Sequence, residues 1–376
     1  MRIRVIVLAS FIMLMVGCGS GYTASEEKDG DLFSQNVKSS EDFTGSSYTD
    51  FSGSVQEAER ITDEITELET GLSAVKYEGD YGFENFLSDG GASSDRDVVK
   101  YISDNLLPDD VRLSFKDAGF GCSTISVKNK DGDSIFGRNF DWNTCNALIV
   151  HSVPHNGYSS ISTVNMDFID MSGLSSSALP DGLKAAIAMY APLDGMNDKG
   201  LAVSVNMIQD YASISQNTDK PDITTTTAIR LLLNKAANVD EAVRLLGQYD
   251  MHASMSLMTH IAISDVSGRS VVVEYVDNEM KVVDTPVVTN FYLSEGKKYG
   301  IGTEQSHRRF EILTEELNEK KTMSANEVRD ALSKVSKKNF GEFESTEWSI
   351  IFNQSTGEAH YYHRENYDKR YVFSIK

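Results

Sequence analysis

Cysteine is scarce in this 376-residue chain: Cys18, Cys122 and Cys145 are too few for a disulfide framework, so each needs its own explanation. Positive charge is also in deficit, with 35 Lys and Arg against 56 Asp and Glu and a formal net charge of −21. That excludes the basic face a general nucleic-acid binder needs, and polybasic adhesion to anionic lipid. Standard signatures are missing too: no G-x-S-x-G elbow, no Walker A loop, no G-x-G-x-x-G, no H-E-x-x-H and no C-x-x-C. Asp194-Gly195-Met196-Asn197-Asp198 has the flavour of a calcium loop. Its sixth position, however, is Lys199 rather than Gly, and no Glu stands at the twelfth, so it reads as a turn. His360 and His363 lie three apart on a predicted strand and face opposite sides. Nothing in the sequence calls for a metal or a cofactor. What is present is 40% hydrophobic and 9% aromatic residues, enough to build a core and too much for a disordered chain. The length suits one large domain plus an appendage, or two domains.

The N-terminus reads as an export signal. Arg2 and Arg4 precede an apolar run from Val5 to Val16, which is too short to span a bilayer as a mature helix. Met15-Val16-Gly17-Cys18 then resembles a bacterial lipobox, with Met where Leu is usual. We expect residues 1–17 to be a signal peptide and Cys18 to be the lipidated first residue, holding the protein to a membrane outside the cytoplasm. Residues 18–54, rich in Ser, Gly, Asp and Glu, read as a flexible tether.

Acidity is concentrated before residue 122. Residues 18–121 hold 23 acidic and 8 basic residues, against 33 and 25 in residues 122–376. Ile61, Ile65, Leu68 and Leu72 fall at helical spacing, so Val55–Ala74 is expected to be a helix, and Asp95–Leu107 a second one before Pro108. Residues 55–121 thus form an expected helical, acidic pro-segment. Beyond Gly121 the texture turns to strands: a hairpin from Cys122–Val127 and Ser134–Trp142, then Ser159–Met166, Ala186–Tyr190 and Leu201–Ile208. A helix pair over Thr224–Gly247 precedes a hairpin at His260–Ser264 and Ser270–Val276. Helices at Phe310–Leu317 and Ala325–Val335 lead to three closing strands. This grouping predicts an α+β fold of stacked antiparallel sheets covered by helices.

One cluster carries chemistry: Gly119-Phe120-Gly121-Cys122-Ser123-Thr124 followed by Gly137-Arg138-Asn139-Phe140-Asp141-Trp142. A cysteine nucleophile needs a base, and no His is placed for it. Cutting the bond before Cys122 would free an α-amino group that titrates near ~7.7–8.0 and serves as that base. Read locally, a buried Cys at a strand start after a Gly-rich turn fits equally well.

The run from Gly121 to Trp142 resembles the mature N-terminus of the choloylglycine hydrolase and penicillin V acylase family, and the related acid ceramidase and linear-amide C–N hydrolase group. Three further segments match in order. They are Asp194–Leu201 with Asn206 on the strand after it, Val288-Thr289-Asn290, and His307-Arg308-Arg309-Phe310. The resemblance, over about residues 119–376, implies an N-terminal-nucleophile αββα sandwich and a hydrolase acting on a linear amide between an acyl group and a small amine or amino acid. It implies Cys122 as nucleophile and Asp141 as holder of its amino group. Arg138 and Arg309 would favour the thiolate. Asn206, with the backbone amide or side chain of Asn290, would face the oxyanion. The chain departs from the pattern in its long segment before Cys122 and in a turn-to-Asn206 spacing one residue short. Bile-salt conjugates, phenoxyacyl penicillin, N-acyl amino acids and lipid amides all remain open as substrates. So do an acyltransferase with the same nucleophile, an inactive ligand-binding surface lipoprotein, and a homo-oligomeric state. Cys145 reads as a small core residue.

Overall fold

The computed structural model describes residues 58–116, 119–338 and 344–376. The expected signal peptide, Cys18 and the tether lie outside the described residues. The strands before Cys122 are β1 (Thr66–Glu69), β2 (Leu72–Glu78) and β3 (Arg112–Phe115), with helices α1 (Phe83–Ser88) and α2 (Asp95–Asn105) between β2 and β3. Then come β4 (Gly121–Lys128), β5 (Ser134–Trp142), β6 (Ala147–Val153), β7 (Ser160–Asn165) and β8 (Ile169–Ser172). Helix α3 (Asp181–Ala188) leads to β9 (Asp194–Asn197), β10 (Ala202–Met207) and β11 (Asp222–Thr224). Helices α4 (Thr225–Lys235) and α5 (Val239–Leu246) precede β12 (Asp250–His252), β13 (Thr259–Ser264), β14 (Ser270–Val276), β15 (Glu279–Asp284) and β16 (Val287–Val288). Helices α6 (Glu304–Glu319) and α7 (Ala325–Lys334) are followed by β17 (Ser345–Asn353), β18 (Glu358–His363) and β19 (Tyr371–Ser374).

The fold is mixed α and β, with two large sheets and two small strand pairs. One sheet has nine strands in the order β1-β2-β6-β7-β9-β10-β13-β14-β15, and the other six in the order β16-β4-β5-β17-β18-β19. Helix α4 seals the first sheet through Asn197, whose Nδ2 donates to the carbonyls of Leu233 and Ala236 at 3.0 and 2.8 Å. Helix α7 seals the second, where Asn139 Nδ2 donates to Leu332 O at 2.9 Å. Between the sheets Phe140 and Trp348 stack with ring centroids 3.9 Å apart, both fully buried.

Two expectations are corrected. The described part of Val55–Ala74 is not helical but forms β1 and leads into β2, with Gly71 at φ 86 making the turn between them. The chain there runs Thr-Glu-Leu-Glu then Leu-Ser-Ala-Val-Lys-Tyr-Glu, where Leu72 and Ala74 are buried and β2 lies parallel to β6. A long-range ladder has overridden a local helical stripe, the usual way tertiary context defeats spacing. The described residues before Cys122 are therefore strand as well as helix, although α2 stands where a helix was expected. Second, Ala186–Tyr190 is not a strand: its first residues end α3. The Ala-rich run favours helix, and Pro180 at the N-cap starts it. The strand beside β10 across the Asn197–Gly200 turn is β9.

Candidate active site

Strand alternation sorts the site into two sides. On β4 and β5, Cys122 pairs with Phe140 and Thr124 with Arg138, so these side chains share the face turned to the nine-stranded sheet. Gly121 pairs with Asp141 on the opposite face. Arg138 and Asp141, three apart, cannot pair with each other, and they do not.

On the sulfur side, Arg138 Nη2 donates to Cys122 Sγ at 3.2 Å and to Val205 O at 2.8 Å. Its Nη1 is ion-paired with Asp194 Oδ2, which also accepts from Trp348 Nε1 at 2.9 Å. The guanidinium carbon lies 5.3 Å from the Phe140 ring centroid and 5.9 Å from that of Trp348. The Cys122 thiol donates to Val205 O at 3.7 Å. Ser204 pairs with Asp194, so Ser204, Asn206 and Asp194 share one face of the nine-stranded sheet. Asn206 is fully buried; its Oδ1 accepts from Ser204 Oγ at 3.3 Å, while its Nδ2 has no partner among the described residues.

On the peptide side, Cys122 N donates to Asn290 Oδ1 at 3.0 Å. Arg309, from α6, donates through Nη2 to the same oxygen at 2.7 Å and through Nη1 to Cys122 O at 2.8 Å and Asp141 Oδ2 at 3.1 Å. Thr346 Oγ1 donates to Asp141 Oδ1 at 2.7 Å. Asn290 is pinned in turn: its Nδ2 donates to Met207 O at 2.6 Å and its backbone N to Ser306 Oγ at 2.6 Å. Behind it, His260 Nε2 lies 2.8 Å from Thr289 O and its Nδ1 3.1 Å from Glu274 Oε1, both side chains fully buried.

Burial pushes the Cys122 thiol up to about 11; Arg138 pulls it down only in part, and the Asp141 charge pushes it further up. The thiol of the intact chain is therefore protonated at neutral pH, and no His hydrogen-bonds it among the described residues.

Of the six residues singled out in the sequence, Cys122, Arg138, Asp141, Asn290 and Arg309 are joined by direct hydrogen bonds, and Asn206 follows Val205, whose carbonyl meets both Arg138 and the thiol. Two details differ from expectation. Of the two arginines it is Arg138 that touches the sulfur, because α6 delivers Arg309 to the other face of β4. The backbone amide of Asn290 is already engaged by Ser306. Asp194, Trp348, Thr346 and Lys337 were not anticipated. Asp194 stood in a recognised motif but read as a turn. Its Oδ2 is bound by Arg138 and Trp348. Cys145 is buried in the main core, and burial holds its thiol well above the usual range.

Residues 122–292 match the family model of the linear amide C–N hydrolases, choloylglycine hydrolase family. The match begins at Cys122 itself, and the family it returns is the one the four motifs resemble. A penicillin V acylase from Pectobacterium atrosepticum is 31% identical over 112 residues, which span 27% of this chain and 29% of the acylase's length. Among solved structures, a mutant conjugated bile acid hydrolase from Clostridium perfringens aligns with a TM-score of 0.49 and 19% identity, covering 67% of this chain and 92% of that one. A penicillin V acylase from Agrobacterium tumefaciens aligns at 0.46 and 18%, covering 64% and 83%.

Proposed function

We propose that the protein is a self-processed N-terminal cysteine amidohydrolase. The two facing sheets with their outer helices are read as the αββα sandwich of N-terminal-nucleophile hydrolases. The observation that carries this is the state of the Gly121–Cys122 bond. Its nitrogen is already held by Asn290, its sulfur by Arg138, and a fully buried carboxylate, Asp141, stands beside Gly121. A structural cysteine needs none of these.

In the processing step the thiol sulfur adds to the Gly121 carbonyl carbon, the C–N bond breaks, and the nitrogen keeps the thiol proton. Water then cleaves the thioester, releasing the Gly121 carboxylate and restoring the thiol. The new α-amino group, held by Asn290 Oδ1 and Asp141, takes the thiol proton as the sulfur attacks a substrate amide. It passes that proton to the leaving amine, and water hydrolyses the acyl thioester. Asn206 Nδ2 receives the tetrahedral oxyanion. The substrate class is a linear acyl amide such as a bile-salt conjugate, phenoxyacyl penicillin or N-acyl amino acid.

Intact-mass analysis tests this. A large fragment starting at Cys122, about two-thirds of the 41.6 kDa chain or about 28 kDa, is expected. Cys122→Ala should stay uncut and inactive on an acyl-amide panel; a Cys122→Ala chain cut at the same bond removes the reading. The small fragment should remain bound, because β2 lies between β1 and β6 and Glu69 is tied to His363, Lys369 and Tyr371 at 2.7, 2.6 and 2.8 Å. We further propose attachment to a membrane through Cys18, which Cys18→Ser should abolish in fractionation.

A further inference from the structure

Lys337 is a buried cation for which the reaction above has no use. It follows α7, is 7% exposed, and reaches toward the peptide side of β4. Its Nζ lies 3.8 Å from Asp141 Oδ2 and is ion-paired with Glu344. Its backbone is fixed by Thr346: Lys337 N donates to Thr346 Oγ1 at 2.8 Å and Thr346 N to Lys337 O at 2.9 Å. That hydroxyl is the one that donates to Asp141. A β-carbon on Gly121 would stand 2.8 Å from Lys337 Nζ and 2.9 Å from Asp141 Oδ2, so the ammonium and the carboxylate both sit against the Gly121 α-carbon.

We propose that Lys337 is a processing residue: its ammonium supports the negative charge that the cut places on Gly121. This rests on self-cleavage before Cys122. Two groups appear when that bond breaks. The amine has Asp141 and Asn290 waiting for it. The Gly121 carboxylate is new negative charge in a buried place that already holds Asp141, and a partner cation is required there. Arg309 is committed to Cys122 O, Asp141 and Asn290, whereas Lys337 stands against the Gly121 α-carbon itself. The ammonium stabilises the oxyanion as sulfur adds to the Gly121 carbonyl, then pairs with the carboxylate left after thioester hydrolysis. No proton is transferred to or from it.

The test follows cleavage of newly translated full-length chain by intact mass over time. Lys337→Gln should slow the cut roughly 10²–10³-fold, the range for losing one charge-stabilising donor. Lys337→Arg should recover most of the rate. Glu344→Gln keeps the ammonium and removes only its surface partner, so it should cut at the wild-type rate; a merely structural ion pair would make it as slow as Lys337→Gln. Should Lys337→Gln misfold, the double variant Lys337→Gln/Glu344→Gln leaves no unpaired charge and must still cut slowly. Wild-type cleavage kinetics in the folded single or double variant lacking the ammonium, or equal slowing by Glu344→Gln, overturns the role of Lys337. A wild-type chain that never cuts overturns the processing reading, and this inference with it.

Discussion

The two sides of Cys122 are built to different rules. On the peptide side both Asp141 oxygens and the Asn290 amide are engaged, by Arg309, Thr346, Met207 and Cys122 itself. On the sulfur side the arginine charge is already neutralised by Asp194, and a buried amide donor, Asn206 Nδ2, is left unused. Buried polar groups are rarely left without partners, and each exception needs an explanation, a catalytic role or a bound water among them. The contrast teaches which half of the chemistry is prebuilt. On the proposed reading, the Cys122 nitrogen is held by Asn290 before any cut, whereas Asn206 Nδ2 has no partner among the described residues until a substrate supplies one.

Asp141→Asn should break the peptide side with the largest effect. It preserves size and the contact with Thr346 but removes the charge that holds a protonated amine. Turnover should fall by roughly 10²–10⁴, the span of a lost acid–base function, with self-cleavage slowed as well. Full turnover in folded, cut Asp141→Asn would mean that the nitrogen needs no anionic partner. Next in size is the sulfur side: Asn206→Ala removes an oxyanion donor and should cost about 2.7–4 kcal/mol, or ~10²–10³ in kcat, with KM little changed. Single-turnover acylation and the melting temperature together separate this from a folding defect. A normal acylation rate in folded Asn206→Ala would remove its role.

How much of this could be read in the sequence follows the range of the contacts. The β4–β5 hairpin was legible because its alternation and its Asp-Gly turn are local. The residues whose roles depend on distant partners were not. Asp194 meets an arginine 56 positions earlier, so its motif was recognised as a family-like turn but gave its carboxylate no role. Lys337 has no sequence signal, since it matters only because Thr346 carries it to Gly121. The stripe of Ile61, Ile65, Leu68 and Leu72 misled for the same reason: β2 is held by a parallel partner about 75 residues on, and no local spacing encodes that.

The smallest expected effect sharpens the sulfur side. If Asp194 serves to temper Arg138, then Asp194→Asn leaves the guanidinium more strongly positive beside the thiol. It still has Val205 O and Cys122 Sγ to hold it in place. The sign follows from the charge: removing an anion near a group that ionises to an anion favours the ionised form. The thiol of the cut protein should therefore titrate at lower pH, by about one unit, read as the midpoint of alkylation rate against pH. The melting temperature should fall as well, because Trp348 Nε1 loses a charged acceptor and Arg138 a buried counterion. A carboxylate that only fastens β9 to the facing sheet predicts the fall in melting temperature without the shift in the titration. A midpoint displaced to higher pH would show that Arg138 leaves the sulfur once Asp194 is gone, and that the carboxylate's task is to aim the guanidinium rather than to moderate its charge.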